Sequence, residues 1–333
     1  LEQQYYNLSD EMFFILSEES FIRSEKNKRR SKNIITHPLM KKKPSGGSFH
    51  SRFNFHRTHS LYCYSHSDSR GFYKHCREIV EMLENSHGIM TETPNTYIIA
   101  LQNLLIAEKN LVLYDELFVT LNKLKKFEAA TPESRARVFA ISHDIELTLY
   151  IDSGQFEKGT LLVNAINKGI SEFKIYLSIN YEILFYFNLA YNFIGCGKYR
   201  ESLLWLNKVL NHPQGAVSLP SIYQSANLVS LLVYYQLGHT DLLEYKIRSM
   251  SKNLNKKNAL YDLEKILLSF FSKAIVISDA KELAALKEGL KKDIEKLHSD
   301  PGKRNAFASF DFLTWTQSLV TGKTMGELIR RRI

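Results

Sequence analysis

Turn signals recur along this chain at nearly constant spacing. They read Gly71-Phe72-Tyr73, Val112-Leu113-Tyr114, Gly154-Gln155-Phe156, Gly197-Lys198-Tyr199 and Gly238-His239-Thr240, with an aromatic residue or its substitute in third place. The third places are 41, 42, 43 and 41 residues apart. The same ruler lands near Asp279-Ala280-Lys281 and then on Gly322-Lys323-Thr324. Each mark follows a long apolar stretch and precedes a shorter amphipathic one, so the chain repeats a unit of about 42 residues. A glycine at such a mark takes positive φ and ends a helix without a Cβ clash. The aromatic two places later is expected to pack into the crevice between the two helices it joins. Small residues beyond it (Ser202, Gly159, Cys76) let those helices approach closely. One helix pair cannot bury its apolar face alone, so neighbouring pairs must stack.

Between the marks, apolar residues step by three and four. Leu203, Leu204, Leu206, Val209 and Leu210 form one such stripe, and Leu283, Leu286, Leu290, Ile294 and Leu297 another, with Pro301 beyond it. Ser278-Asp279 and Thr131-Pro132-Glu133 read as helix starts. Proline is absent from 133–212 and from 221–300, which a turn-rich all-β chain does not allow. The expectation is an all-α fold with helices of about 14–20 residues. Residues 1–30 read as one or two helices with Met12, Phe13, Leu16 and Phe21 as apolar contacts. Pro38, Pro44 and Gly46-Gly47 make 31–49 read as a loop. The expected division is an irregular N-terminal cap or partial repeat with a basic loop over 1–50, then a helical-repeat domain over 51–333.

Tyr186, Leu189, Ala190, Phe193, Gly197, Tyr199, Ser202, Leu206, Val209 and Pro213 resemble the tetratricopeptide-repeat pattern, with Pro213 one place early. Gly154, Phe156 and Gly159 resemble it in part, as do Leu231, Tyr234, Gly238 and Leu243. The likeness covers 50–300 and is strongest over 181–213. The family's unit is about 34 residues, so longer helices here absorb the difference. Another α-solenoid, of the HEAT type, shares the longer period but does not call for the Gly-x-aromatic turn. The resemblance implies a right-handed superhelix of five to seven stacked antiparallel helix pairs that binds a ligand on its concave face. Carried over, its inward positions are Gln102 and Ile106, then Asp144 and Thr148, then Phe187 and Tyr191, then Leu232 and Tyr235. The Lys/Asn/Arg set that clamps a peptide carboxylate in some members does not occur at these positions, so a partly apolar segment or helix is the expected ligand.

The net charge is +9, and Arg23–Lys43 holds nine Lys/Arg against Glu25 alone, +8 of that total. The basic patch comprises Arg29, Arg30, Lys32, Lys41, Lys42 and Lys43. With the aromatics that follow it, the patch suits phosphates and stacked bases. Aromatics are equally dense over 181–199, where no basic excess exists, so packing explains them better and nucleic acid is the weaker reading. An acidic protein or peptide fits the patch as well. Three scattered cysteines do not make a disulfide framework and point to a reducing, cytoplasmic setting. No run of 18 apolar residues predicts a membrane span. The opening Leu-Glu-Gln-Gln reads as a fragment or processed form.

Chemistry finds few footholds. Gly322-Lys323-Thr324 lacks the P-loop glycine five places earlier, where Gln317 stands, and reads as an interhelix turn. His56, His59, Cys63 and His66 share one helix face, but four ligands along ten residues of helix span roughly 15 Å and cannot meet one ion. At most an adjacent pair converges, helped by His75 or Cys76; no metal or cofactor is assigned. Nucleophile elbows, zinc-protease motifs and dinucleotide loops are missing from the sequence. Asp144, Glu146 and Glu18-Glu19 read as helix-surface acids. The expected function is non-catalytic protein or peptide binding. The alternative is a peptide-sensing or nucleic-acid-associated regulator whose effector module lies outside this chain.

Overall fold

The structure is a computed structural model that describes residues 1–18, 24–44, 46–256, 262–300 and 303–332. Contacts divide it into two compact units, Leu1–Ser142 and His143–Ile333. Unit 1 contains α1 (Glu2–Glu18), α2 (Glu25–Ile35), α3 (Pro38–Lys41), α4 (Phe49–Ser65), α5 (Ser69–Glu84), α6 (His87–Glu92), α7 (Pro94–Asn110), α8 (Tyr114–Lys126) and the start of α9 (Pro132–Asp152). Unit 2 takes the rest of α9, then α10 (Phe156–Leu161), α11 (Val163–Glu172), α12 (Ile179–Gly195), α13 (Tyr199–Leu210) and α14 (Gly215–Ser218). It continues with α15 (Pro220–Leu237), α16 (Thr240–Lys256), α17 (Asp262–Ala274), α18 (Ala280–Ser299), α19 (Phe312–Thr321) and α20 (Met325–Arg330). The expected all-α class holds: no strand occurs among the described residues. None of their helices is long and apolar enough to cross a membrane.

The repeat has a common backbone device. Ser67, Val112, Gly154, Gly197 and Gly238 all take positive φ, between 58° and 70°. At each, the residue's own N–H donates to the carbonyl three places back and the next N–H donates to the carbonyl five places back. At 197 these bonds run from Gly197 to Ile194 and from Lys198 to Phe193, both at 2.8 Å; the other four joints repeat them. This is the Schellman closure of a helix. Gly322 ends α19 with φ 70° and one bond to the Ser318 carbonyl. The joint at 279 is different: Asp279 caps α18 in extended backbone by accepting the Glu282 N–H. Gly71 is a correction. It lies in the first turn of α5, four residues past the left-handed Ser67, and a Cβ there would run into Cys63 Sγ and the Asp68 carboxylate.

Val112 is a β-branched residue in the left-handed region and is 59% exposed, so it carries strain with little packing in return. Val112→Gly is expected to stabilise unit 1 by about 1 kcal/mol, read as a higher urea midpoint. A lower midpoint would mean that Val112's contacts outweigh its backbone.

In unit 1, α1 lies along α4 and joins it to α2 and α3. Met12, Ile15 and Ile34 form one cluster, and Tyr5, Met40 and Phe55 another. Residues 1–50 therefore share their interior with α4, and the contact boundary falls within α9. Phe13 is 47% exposed with the Arg57 guanidinium over its ring, and Ile15 takes the buried place expected of it; Phe21 lies outside the described residues. The expected loop over 31–49 is partly helical. Pro38 starts α3 at the first helical position, where its missing N–H costs nothing, and His37 accepts the Leu39 N–H. Contacts one period apart link successive pairs: Lys123 on α8 reaches Glu84 on α5 at 2.8 Å, and Ser134 on α9 donates to Asn95 on α7 at 3.2 Å.

In unit 2, Asn188 on α12 donates to Asp144 on α9 at 3.1 Å, 44 residues away. Phe156, 1% exposed, packs on Gly195 of α12, where a Cβ would overlap its ring. Gly159 faces Asn192, whose amide donates to the Phe156 carbonyl at 2.9 Å. Here the turn aromatic and the small residue thus serve the contact to the next hairpin. The last segment folds back. The Asp311 N–H donates to Tyr191 Oη at 3.2 Å across 120 residues, and the Phe310 ring lies 4.5 Å from that of Tyr191. Arg330 donates to the Gly154 carbonyl, and Gly326 abuts Gly154. In a strictly linear stack each pair meets only its neighbours; the start of α19 reaches past two pairs to α12, and α20 past three to the Gly154 turn.

Candidate functional site

The predicted groove residues divide by burial. Gln102 and Ile106 on α7 are half-buried in unit 1, and Asp144 and Thr148 on α9 are half-buried in unit 2. Thr148 turns its hydroxyl onto the Ile145 carbonyl of its own helix. Phe187 and Leu232 are core residues, 1% and 0% exposed, and Tyr191 is buried beneath Phe310 and Asp311. Burial, reinforced by the Asp311 charge, pushes the Tyr191 phenol well above its ordinary range. Tyr235 is half-buried with its ring 5.7 and 5.6 Å from Phe270 and Phe271. So three of the four candidates from α12 and α15 face the interior. The signal was present: α12 is apolar nearly all round, the mark of a helix covered on several sides.

The basic segment is more compensated than its composition suggests. Arg30 pairs with Glu18 at 3.3 Å, Lys28 with Glu25 at 2.7 Å and Lys43 with Glu78 at 2.7 Å. Arg29, Lys32, Lys41 and Lys42 are exposed. Arg23 lies outside the described residues.

The histidine-rich helix separates as its pitch requires. His56 Nδ1 and His75 Nδ1 lie 3.0 Å apart, His59 stacks on His75 at 4.8 Å, and His59 Nε2 meets the Met40 carbonyl at 3.0 Å. Only one of the two facing Nδ1 atoms can carry a hydrogen. His56 Nε2 is buried without a hydrogen bond, with Glu78 Oε2 3.6 Å away. Burial lowers His56 to about 4 and His75 to about 3, with Glu78 opposing in both. Cys63 stands apart beside Asp68, its thiol pushed up to about 12 by burial and then by that carboxylate. His66 stacks on Tyr62 at 4.0 Å. Among the described residues no group of three or more His, Cys, Asp or Glu is placed to hold a metal ion. Gly322-Lys323-Thr324 is a helix joint, in which Thr324 and Glu327 form a reciprocal capping box at the start of α20.

Sequence reasoning missed Glu108. It occupies the apolar stripe Leu101, Leu104, Leu105, Glu108 of α7, a carboxylate at a core position, and is 2% exposed. Comparison with protein-family models, with curated proteins and with solved structures finds no match for this chain.

Proposed function

We propose that this chain is a non-catalytic binder of a protein or peptide segment, built as a right-handed, tetratricopeptide-like row of helical hairpins. The observation that carries the reading is the register of successive first helices. Asp144 and Asn188 bond 44 residues apart in unit 2, and Asn95 and Ser134 bond 39 residues apart in unit 1. Helices paired one period apart present equivalent faces side by side, the arrangement in which repeat proteins form extended binding surfaces. The accessible contact positions are then Gln102 and Ile106 in unit 1 and Asp144, Thr148 and Tyr235 in unit 2, while Phe187, Tyr191 and Leu232 are buried. Their mixture of apolar and uncharged polar groups with one acid suits a partly apolar segment or helix. The unpaired thiols of Cys63, Cys76 and Cys196 fit a reducing compartment such as the cytoplasm.

Panning a displayed peptide library against the intact chain tests the reading. Enriched peptides are expected to lose at least about tenfold in affinity, the scale of one lost contact worth 1.4 kcal/mol, against Ile106→Asp or Thr148→Asp. If no peptide is enriched, the binding function fails. If peptides bind both variants as they bind the wild type, the surface is wrong.

A further inference from the structure

Between α5, α7 and α8 of unit 1 lies a cleft of about 460 Å³. Five carboxyl groups line it, Glu81, Glu84, Glu108, Asp115 and Glu116, against two cations, Arg77 and Lys123. In a protein of net charge +9 this is a local reversal of sign. The two cations are engaged: Arg77 holds Glu81 at 2.8 Å, and Lys123 holds Glu84 at 2.8 Å. Glu84 also accepts the Tyr97 hydroxyl at 2.9 Å. Asp115 and Glu116 open α8 and are exposed at the rim.

Glu108 separates this cleft from an ordinary acidic surface. Its Oε1 accepts the Thr120 hydroxyl at 2.9 Å, while its Oε2 is buried with no hydrogen-bond partner. A buried carboxylate oxygen without a partner costs far more than an exposed one. We infer that the cleft binds an organic cation, a guanidinium or primary ammonium group, whose N–H donors reach Glu108 Oε2 between the rim acids Asp115 and Glu116. Both cation types carry several donors on one charge, and the volume takes one such group with its alkyl stem. The inference is independent of the first-helix surface proposed above.

Titration of Glu108 makes the binding recognisable. Burial raises its pKa to about 7, with Glu116 adding and the Thr120 hydroxyl and Lys123 opposing. The groups around it are Tyr73, Cys76, Arg77, Glu81 and Glu84 from α5, and Asp115, Glu116, Thr120 and Lys123 from α8. A cation at Oε2 favours the ionised form, so affinity rises with pH through 7 and levels off above it. From pH 6 to pH 8 the ionised fraction of a group with that pKa changes about tenfold.

Calorimetric titration of the intact chain with agmatine, with spermidine and with end-blocked Gly-Arg-Gly is the test. Binding by either amine or by the peptide, about tenfold tighter at pH 8 than at pH 6 and with proton release at pH 6.5, supports the site; the arm that binds identifies a free amine or a peptide side chain as the source. Glu108→Gln is expected to weaken binding at least tenfold and to flatten the pH profile, and Glu116→Gln to weaken it a few-fold with the pH dependence retained but moved to lower pH, since the Glu116 charge raises Glu108. No binding in any arm at millimolar ligand overturns the inference. So does wild-type affinity that is flat from pH 6 to pH 8, a result that requires no variant to fold.

Discussion

Replacing Trp315 with alanine lowers the stability of unit 2 by about 3–5 kcal/mol, the range for deleting a fully buried aromatic side chain. Trp315 is 1% exposed, and its ring lies 6.0 Å from Phe271, 6.5 Å from Phe270 and 6.4 Å from Phe312. Phe310 and Phe312, 1% and 2% exposed, extend the same aromatic layer to Tyr191. Removing the indole opens a cavity where α19 meets α17 and loosens the segment that covers α12. Trp315→Phe should cost much less. It retains most of the apolar area and removes an indole N–H that is buried without a partner. Urea unfolding followed by far-UV circular dichroism measures both variants. A loss below about 1 kcal/mol in the alanine variant, near the typical effect of any point substitution, would mean that the folded-back segment contributes little. Unit 2 would then behave as an open row.

Acid is the second large effect, and it acts on unit 1. In the unfolded chain His56 and His75 titrate near 6.5; in the folded chain burial holds them neutral down to about 4 and about 3. A depressed histidine stabilises the fold fully above its unfolded pKa. That stability is lost as pH falls from about 6.5 toward the folded values. At pH 5 the loss is about 2 kcal/mol for each of the two, at 1.36 kcal/mol per unit. Protonating the ring whose Nδ1 accepts also removes the acceptor from the Nδ1 pair at 3.0 Å, and a charge on either ring lies near Lys74, on His56 near Lys43 as well. Glu78 offsets part of this, since Lys43 keeps its carboxyl below the ordinary range and so ionised. Melting temperatures at pH 7.5 and pH 5 for the wild type, His56→Phe and His75→Phe measure it. Each variant should lose a substantial part of the acid sensitivity. Equal slopes in all three proteins would move the acid lability elsewhere.

The helical class and the joints at 112, 154, 197, 238 and 322 were readable from the chain, because ending a helix is a local event. A left-handed residue, two hydrogen bonds and an apolar stripe on either side involve only a handful of consecutive positions. Even so, Ser67 carries the same geometry without a glycine, and Gly71 misplaced the first mark by four residues. The interior places of Phe187, Tyr191 and Leu232 do not follow from spacing, nor does the pairing of His56 with His75.

Periodicity states which residues share a side of one helix; it is silent on what lies against that side. For Tyr191 the covering group is Phe310, and for the Gly154 turn it is Arg330, partners 119 and 176 residues downstream. Such contacts are chosen by how whole hairpins fill space together, a competition decided by burying the most apolar surface at near-crystalline density. Local signals therefore set where each helix stops and turns, and the packed molecule alone settles which of their faces remain open to solvent.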